Sequence, residues 1–307
     1  MRRIRQLRIK RGQSASELAL ALSGCAFGAR QLGRAAELLK TIVSDRRARL
    51  FVGLAGAMVP AGMRSVIVDM LRSGAVEVLV STGANLTHDL VESLGISHLA
   101  GSADVDDASL RRTGLDRIYD AYMPDSAYVR LHSFFNSLWP SLGERCSGRE
   151  FLWAIGRALG DKDSILSTCA RKKVALYCPA LPDSGIGLAV WARQKAGRRL
   201  EIDLWTDLAE MMSIAFEAKK AAVLYIGGGV PKNYIQQALQ WSPRGAAYAI
   251  QITTDRVESG GSSGAALREG ISWGKLGPRA QHVDLRCDAT IALPLIWAAA
   301  KEALARR

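Results

Sequence analysis

The chain has 307 residues, of which 49% are hydrophobic and 23% charged. This balance is typical of globular proteins and excludes collagen-like, coiled-coil and disordered chains. No charge-free apolar run reaches the roughly 18 residues that a membrane helix needs. The first residues, MRRIRQLRIKRG, are not followed by the apolar stretch of a secretory signal, so we expect neither a span nor a signal.

The positive charge is concentrated at the N-terminus. The formal net charge is +12, and residues 1–50 hold twelve basic and three acidic residues, so most of the excess lies there. No aromatic residue precedes Phe27, and no zinc-finger, RNA-recognition or helix-turn-helix motif follows. We therefore expect a solvated basic segment that does not bind nucleic acid, with docking to an acidic protein partner as the alternative.

The cysteines and histidines do not have the spacing of a metal site. The five cysteines form no CxxC pair and have no paired histidines near them. We read them as small apolar side chains in a reducing compartment, and expect a cytoplasmic protein without a metal. His98, His132 and His282 are isolated and are expected to be structural, whereas His88 lies on a turn that could face a nucleotide.

The chain alternates strand-length apolar runs with helical patterns, which is typical of α/β proteins. The predicted strands are Phe51–Leu54, Val76–Ser81, Val174–Cys178, Ala222–Ile226, Ala247–Thr253 and His282–Leu285. The predicted helices are Ala29–Ile42, Gly62–Ser73, Leu86–Leu94, Arg149–Leu159, Thr206–Lys219, Pro231–Gln240 and Thr290–Ala305.

Several strands are apolar throughout, for example AAVLYI, which predicts a sheet covered on both sides. We therefore predict a mostly parallel, doubly wound, Rossmann-like sheet with helices on both faces, in a single large domain. Residues 1–50 would form a basic helical segment packed on the core, and residues 51–307 the α/β domain. Residues 101–144, which are charged and poorly periodic, would form an insertion or connection within it.

The predicted strand ends are rich in small residues. They read GLAGAMVPAG, VSTGANLTHD, CPALPDSGIG, IGGGVPKN, ITTDR and CDAT. Glycine lets a backbone approach a phosphate closely, and a helix that begins just afterwards points its N–H groups at the anion. Any one of these loops could be an ordinary tight turn, but six at one edge of a sheet favour a nucleotide-sized site.

A second group of residues follows a Gly/Ser-rich stretch, in SGGSSGAALREGISWGKLG at 259–277. Glu269 and Trp273 are four residues apart and would share a helix face, with Lys275 at or beyond the helix end. An indole ring beside a carboxylate can hold an organic cation, and a lysine near an aromatic wall can act as an amine nucleophile. From spacing alone, a surface lysine and a core tryptophan remain the simpler interpretation.

These segments together resemble the deoxyhypusine synthase family. The resemblance rests on SWGK at 272–275, GGGVPK at 227–232, CPALPDSGIG at 178–187, STGANLTHD at 81–89, FVGLAGAMVPAGMR at 51–64 and TTDRVESGGSSGA at 253–265. It covers roughly residues 4–305 and is closest to the shorter archaeal or bacterial form.

The resemblance implies NAD-dependent transfer of an aminobutyl group from spermidine. The group would pass through an imine on an enzyme lysine to a lysine of the translation initiation factor 5A precursor, in a homotetramer. The active lysine of the family falls on Lys275, and the amine-contacting positions fall on Glu269, Trp273, Asn233 and Ser262. The implied NAD contacts are Gly56, Ala57, Thr82, Gly83, Asp183, Gly228, Gly229, Thr254, Asp288 and Ala289.

Several positions depart from the eukaryotic pattern. A histidine thought to assist proton removal is replaced by Asn233, and an amide cannot act as a base. Two acidic positions hold Leu188 and Ser262, and paired glutamates are replaced by Thr87 and His88. These changes leave two alternatives open, a homospermidine-synthase-like transfer to a free amine such as putrescine, and a non-catalytic NAD-binding relative.

Overall fold

The computed structural model describes residues 3–305, and the chain folds into two compact units. The first unit comprises Met1–Ala55, Arg72–Val80 and Leu208–Arg307, as far as these residues are described. The second comprises Gly56–Leu71 and Ser81–Asp207. The first residues of the predicted segment 1–50 and the last residues of the predicted domain 51–307 lie outside the described residues. The boundary between these two segments, at residue 50, stays a prediction.

In chain order, the strands are β1 (Ala48–Leu54), β2 (Val76–Ser81), β3 (Leu99–Ala100), β4 (Leu115–Ile118), β5 (Ala121–Pro124), β6 (Arg145–Ser147), β7 (Ala175–Tyr177), β8 (Glu201–Asp203), β9 (Lys220–Ile226), β10 (Ala246–Thr253) and β11 (Leu276–Arg286). The α-helices are α1 (Ala15–Ala21), α2 (Phe27–Ser44), α3 (Arg64–Arg72), α4 (Gly83–Ser93), α5 (Asp107–Arg112), α6 (Ser126–Leu138), α7 (Gly148–Ala158), α8 (Ile165–Lys172), α9 (Gly185–Lys195), α10 (Leu204–Glu217), α11 (Gly229–Trp241), α12 (Glu269–Ser272) and α13 (Ala289–Leu304).

The first unit is built on strands in the order β11-β10-β9-β1-β2. The pairs β1–β9, β9–β10 and β10–β11 are parallel. Six of the seven residues of β9 are buried, as expected for a strand with both faces covered. Because parallel strands end at the same edge, the loops after β9, β10 and β11 lie side by side.

Helices cover this sheet. The buried side of α2 carries Leu32, Leu39 and Ile42 and packs against α13 and β11. On another side, α11 packs against β1 and β9. The predicted α/β class, with a parallel sheet flanked by helices, is confirmed.

The second unit is mainly helical, with α7 packed on α8 and α4 packed on α6, α8 and α9. Asp89, in the middle of α4, is fully buried and accepts hydrogen bonds from the Ile165 and Leu166 amides at 2.9 Å each. It also accepts from the Ser164 hydroxyl and from Arg64 Nε, both at 2.7 Å. This charge-assisted network joins α4 to the N-terminus of α8.

All six predicted strands and all seven predicted helices are present, within three residues of their expected bounds except that β11 begins six residues before the predicted His282. Segment 101–144 is not merely a connection, because β4 and β5 pair with β3 in an antiparallel sheet, followed by α6. Residues 3–12 belong to no helix or strand and are exposed, as expected for a solvated basic segment. Among the described residues, no helix is long and apolar enough to cross a membrane.

Candidate functional site

The loop after β9 has the backbone that its three glycines allow. Gly227 and Gly229 have φ of +75° and +57°, values that favour glycine. At Gly228, a Cβ atom would collide with the Cα atom of Ser263, so a side chain has no room there. The loop leads directly into α11, whose N-terminus has no side-chain cap, so its first amides are left without an intrahelical partner, as at any helix start.

Three further predicted NAD contacts lie at neighbouring strand ends of the first unit. Thr254 follows β10 and is exposed. Asp288 follows β11 and caps α13, where its carboxylate accepts from the amide and the hydroxyl of Thr290, both at 2.7 Å. Ala289 is the first residue of that helix. Five predicted cofactor positions thus lie along one edge of this sheet.

The other five predicted cofactor positions lie in the second unit. Gly56, with φ of +76°, and Ala57 are exposed, and so is Asp183. Thr82 caps α4 by accepting from the Asn85 amide at 3.4 Å, and a Cβ atom at Gly83 would collide with the side chain of Ser184. Thr82, Gly83 and Asp183 lie at or next to the starts of α4 and α9, so helix N-termini again accompany the predicted positions.

The predicted Glu/Trp/Lys group lies on a short turn in the first unit. Helix α12 begins at Glu269 and ends at Ser272, and Trp273 and Gly274 join it to Lys275. Lys275 Nζ lies 5.0 Å from the centroid of the Trp273 ring, within the range of a cation–π contact. Trp273 is 62% exposed, which overturns the simpler interpretation of a core tryptophan.

A buried lysine donates hydrogen bonds to the Gly/Ser loop that precedes this turn. Lys232, on the first turn of α11, is 1% exposed, and its Nζ donates to the carbonyls of Ser262 at 2.7 Å and Ala265 at 2.8 Å. Burial lowers the pKa of Lys232 to about 8, although the carboxylates of Asp284 and Glu269 act in the opposite direction.

Sequence reasoning missed Lys232 as a site residue. The available signal was its position in GGGVPK, three residues after Gly229. A side chain in the first turn of a helix points toward the helix N-terminus and so toward the glycine loop. The positive charge of Lys275 also lowers the pKa of Lys232, so the two lysines are electrostatic neighbours.

The substituted positions are placed as follows. Ser262 contributes its backbone carbonyl to Lys232, and Asn233 is half-buried on the next position of α11. In the second unit, Leu188 is 61% exposed on α9, and the Thr87 hydroxyl accepts from the Ile186 amide at 3.2 Å. Thr87 therefore holds the start of α9.

His98, which stands alone in the sequence, has two titratable neighbours in the fold. Its Nε2 lies 2.9 Å from His88 Nδ1, and its Nδ1 lies 2.6 Å from Glu92 Oε1. Burial, together with the charge of His98, lowers the pKa of His88 to about 4. His88 is thus held neutral near pH 7 in a chain of three titratable side chains.

Within residues 3–305, no group of three or more His, Cys, Asp or Glu side chains could hold a metal ion. All five cysteines are free thiols. Burial raises the pKa of Cys178 to about 12 and that of Cys146 to about 11, so neither is a thiolate at neutral pH. The Lys275 turn offers an amine, a carboxylate and an aromatic ring, and glycine-lined helix starts lie in the same unit.

Comparison with known proteins gives the class that this fold and site define. The model of the family described as "DS: Deoxyhypusine synthase" matches residues 17–300. The chain belongs to the deoxyhypusine synthase family.

Individual relatives agree with this membership. The chain is 46% identical over 305 residues to "Probable deoxyhypusine synthase 1" of Methanosarcina acetivorans, covering 99% of this chain and 96% of that protein. It is 41% identical over 296 residues to the protein of the same name from Archaeoglobus fulgidus, covering 96% and 97%. A bacterial relative, the "Deoxyhypusine synthase-like protein" of Chlorobaculum tepidum, is 36% identical and covers 90% and 83%.

The fold also has a counterpart among solved structures. A crystal structure of a candidate deoxyhypusine synthase from Entamoeba histolytica superposes with a TM-score of 0.69, covering 97% of each chain. At 17% identity, this likeness supports the fold alone.

Proposed function

We propose that the protein transfers an aminobutyl group from spermidine, in an NAD-dependent reaction, to a lysine of the translation initiation factor 5A precursor. The observation that carries the proposal is the Lys275 amine against the exposed Trp273 ring, on a turn that begins with Glu269. Membership in the deoxyhypusine synthase family supports the class of reaction.

The residues present fit NAD. Gly228 and Gly229 bring no side chain of their own to the start of α11, although Ser263 packs against Gly228, and Asp288 and Ala289 lie at the start of α13. Such helix starts suit a pyrophosphate, and the exposed Thr254 can reach a polar group beside it. When bound, NAD would accept a hydride from the amine and return it after the transfer.

Lys275 would carry the aminobutyl group. Loss of a hydride and a proton from spermidine leaves a carbon–nitrogen double bond, which a neutral Lys275 amine attacks. The bond to 1,3-diaminopropane then breaks, and that amine leaves with the proton that Lys275 gives up. The amine of the acceptor lysine displaces Lys275 in the same way, and reduction of the new imine completes the transfer.

Trp273 and Glu269 would hold the ammonium ends of the polyamine. A ring face attracts a cation by its quadrupole, and the Glu269 carboxylate adds an ionic contact. The Glu269 carboxylate already accepts from the Ala266 amide at 3.3 Å, which orients it toward the loop that carries Ser262.

A second candidate function is favoured by the substituted positions. Asn233 cannot accept a proton at neutral pH, and Leu188 and Ser262 place no carboxylate where the resemblance implies one. A homospermidine-synthase-like transfer to a free amine such as putrescine fits a changed set of amine contacts. A non-catalytic NAD-binding relative is the remaining candidate.

The assembly and the compartment are part of the proposal. A homotetramer follows from the resemblance, and the cytoplasm suits a chain whose five cysteines are all free.

The test is reductive trapping of the lysine. Purified protein is incubated with NAD and spermidine, treated with borohydride and digested, and the peptide containing Lys275 is examined by mass spectrometry. We expect an aminobutyl adduct on Lys275, none without NAD, and none on the Lys275→Arg variant. The variant Lys195→Arg, which changes an exposed lysine on α9, is the matched control and should trap normally.

The outcomes separate the candidates. An adduct followed by transfer to the factor 5A precursor supports the first proposal, and transfer to putrescine alone supports the second. Protein that binds NAD but gives no adduct with either polyamine would be a non-catalytic relative, and the proposal would be wrong.

A further inference from the structure

A row of polar side chains crosses the sheet of the first unit. The strand register places Tyr225 on β9 opposite Gln251 on β10, and Gln251 opposite Asp284 on β11. Tyr225 and Gln251 are 0% and 1% exposed, and Asp284 is half-buried. A buried polar group is costly unless it has a partner. Within the described residues the Tyr225 hydroxyl and Gln251 Oε1 have no hydrogen-bond partner, so the contacts of Gln251 Nε2 and of the Asp284 carboxylate indicate what the row holds.

Two side chains of this row hold the Gly/Ser loop. Gln251 Nε2 donates to the Ser263 carbonyl at 2.6 Å. The Asp284 carboxylate accepts from the Leu267 amide, with its two oxygens at 3.0 and 3.3 Å. Leu267 itself is 0% exposed, so this anchor point is fixed by packing as well as by a charge-assisted hydrogen bond.

A chain of backbone hydrogen bonds leads from this anchor to Lys275. The Gly270 amide donates to the Leu267 carbonyl at 3.0 Å, and the Lys275 amide donates to the Gly270 carbonyl at 2.8 Å. The Lys275 carbonyl in turn accepts from the Ala246 amide of β10 at 3.0 Å. Asp284 is therefore the side chain that anchors the first residue of this hydrogen-bonded chain, which ends at Lys275.

We propose that Asp284 is a positioning residue, which fixes the Lys275 turn against the sheet through Leu267, with Gln251 holding the preceding loop. Its relevance to transfer rests on the proposed function, whereas its effect on the turn does not. The Asp284 carboxylate accepts from the Leu267 amide and acts on the reacting amine only through the turn and its charge, so we expect its removal chiefly to displace the nucleophile. A displacement of about 1 Å at a reacting group costs on the order of 100-fold in rate.

The first measurement is hydrogen exchange by mass spectrometry on the protein alone, which needs no substrate. In Asp284→Ala, we expect the amides of Gly270 and Lys275 to exchange at least about tenfold faster, because the hydrogen bond to Leu267 is lost. Asp284→Asn keeps an acceptor oxygen, so its exchange rates should lie between those of the wild type and those of Asp284→Ala. Asp104→Ala, at an exposed position of the second unit, is the control and should leave these amides unchanged.

The second measurement is the rate of adduct formation on Lys275 with NAD and spermidine. We expect kcat to fall in the order wild type, Asp284→Asn, Asp284→Ala, with KM for spermidine nearly constant and partial rescue by the amide. If the Ala variant does not fold, the Asn variant alone decides the test, by its exchange at Gly270 and Lys275.

Unchanged exchange in both folded Asp284 variants would overturn the proposal. So would faster exchange combined with undiminished adduct formation, because the turn would then be loosened without consequence. A wild-type protein that forms no adduct refutes the proposed function instead, and the exchange result still decides whether Asp284 holds the turn.

Discussion

Protonation of His88 should destabilise the fold as the pH falls below neutrality. His88 lies on α4 with His98 at 2.9 Å and Glu92 beyond it. Its pKa in the folded chain is lowered to about 4, whereas an unfolded histidine keeps its ordinary value of 6.5. Between these values the unfolded chain binds a proton that the folded chain does not, so stability rises with pH across this window and is lost on acidification.

The size of the effect follows from the shift. A difference of roughly 2.5 pKa units, at about 1.4 kcal/mol per unit, gives on the order of 3 kcal/mol lost between pH 6.5 and 4. Domains commonly have only about 5–15 kcal/mol of stability in total, so a loss of this size is readily measured. The acidic groups whose pKa is lowered, such as Asp45 and Asp161, contribute at still lower pH.

The assay is urea unfolding at several pH values between 4 and 7, together with NMR titration of the histidine ring protons. The chain has four histidines, so single His→Gln variants assign every resonance. The free-energy difference between wild type and His88→Gln should change by about 3 kcal/mol across the window, whereas His132→Gln, at an exposed position, should follow wild type. A His88 resonance that titrates near 6.5, or equal pH slopes in wild type and His88→Gln, would refute the reasoning.

Three further substitutions test two buried charged side chains and the close packing of Gly228 against Ser263. Lys232→Met leaves the carbonyls of Ser262 and Ala265 without their donor and should cost about 1–3 kcal/mol in urea unfolding at pH 7. Because the pKa of Lys232 is lowered to about 8 from 10.5, the advantage of wild type over this variant should grow between those pH values and not shrink. Asp89→Ala removes the acceptor of the Ile165 and Leu166 amides and one of the two carboxylates that pair with Arg64, the other being Asp161 at 2.7 Å. It should cost about 3–5 kcal/mol by thermal or urea unfolding, against no measurable loss in Asp104→Ala. Gly228→Ala should weaken NAD binding, measured by calorimetry, at least about tenfold, because the new methyl group displaces the backbone of the facing Ser263; unchanged affinity would mean that this loop is not the cofactor edge.

The strands and helices were predictable because their signals are local. A short continuous apolar run such as AAVLYI is typical of a strand whose two faces are both covered, and β9 is such a strand. The antiparallel strands of the 101–144 segment escaped prediction because they are short and only partly buried, so little apolar periodicity marks them.

The site was predictable in part. The Glu269–Trp273–Lys275 group and the glycines after β9 each lie within a short stretch of the chain. The structure places the Lys275 amine against the exposed Trp273 ring, whereas spacing alone favoured a core tryptophan. Whether the predicted cofactor positions of either unit bind NAD stays a prediction.

The sequence by itself determined the α/β class and the family, and it pointed to Lys275 as the lysine of the proposed chemistry, since the signal for each lies in short segments that can be recognised one by one. Only the tertiary structure decided that Lys232 is buried under the Gly/Ser loop, that His98 belongs with His88, and that Asp284 lies beneath the Lys275 turn. The physical reason is that the hydrophobic periodicity of the sequence, which marks helices and strands, does not show which residues come into contact. These contacts depend on strand register and on which face of a helix is covered, and both are decided by packing of the whole chain.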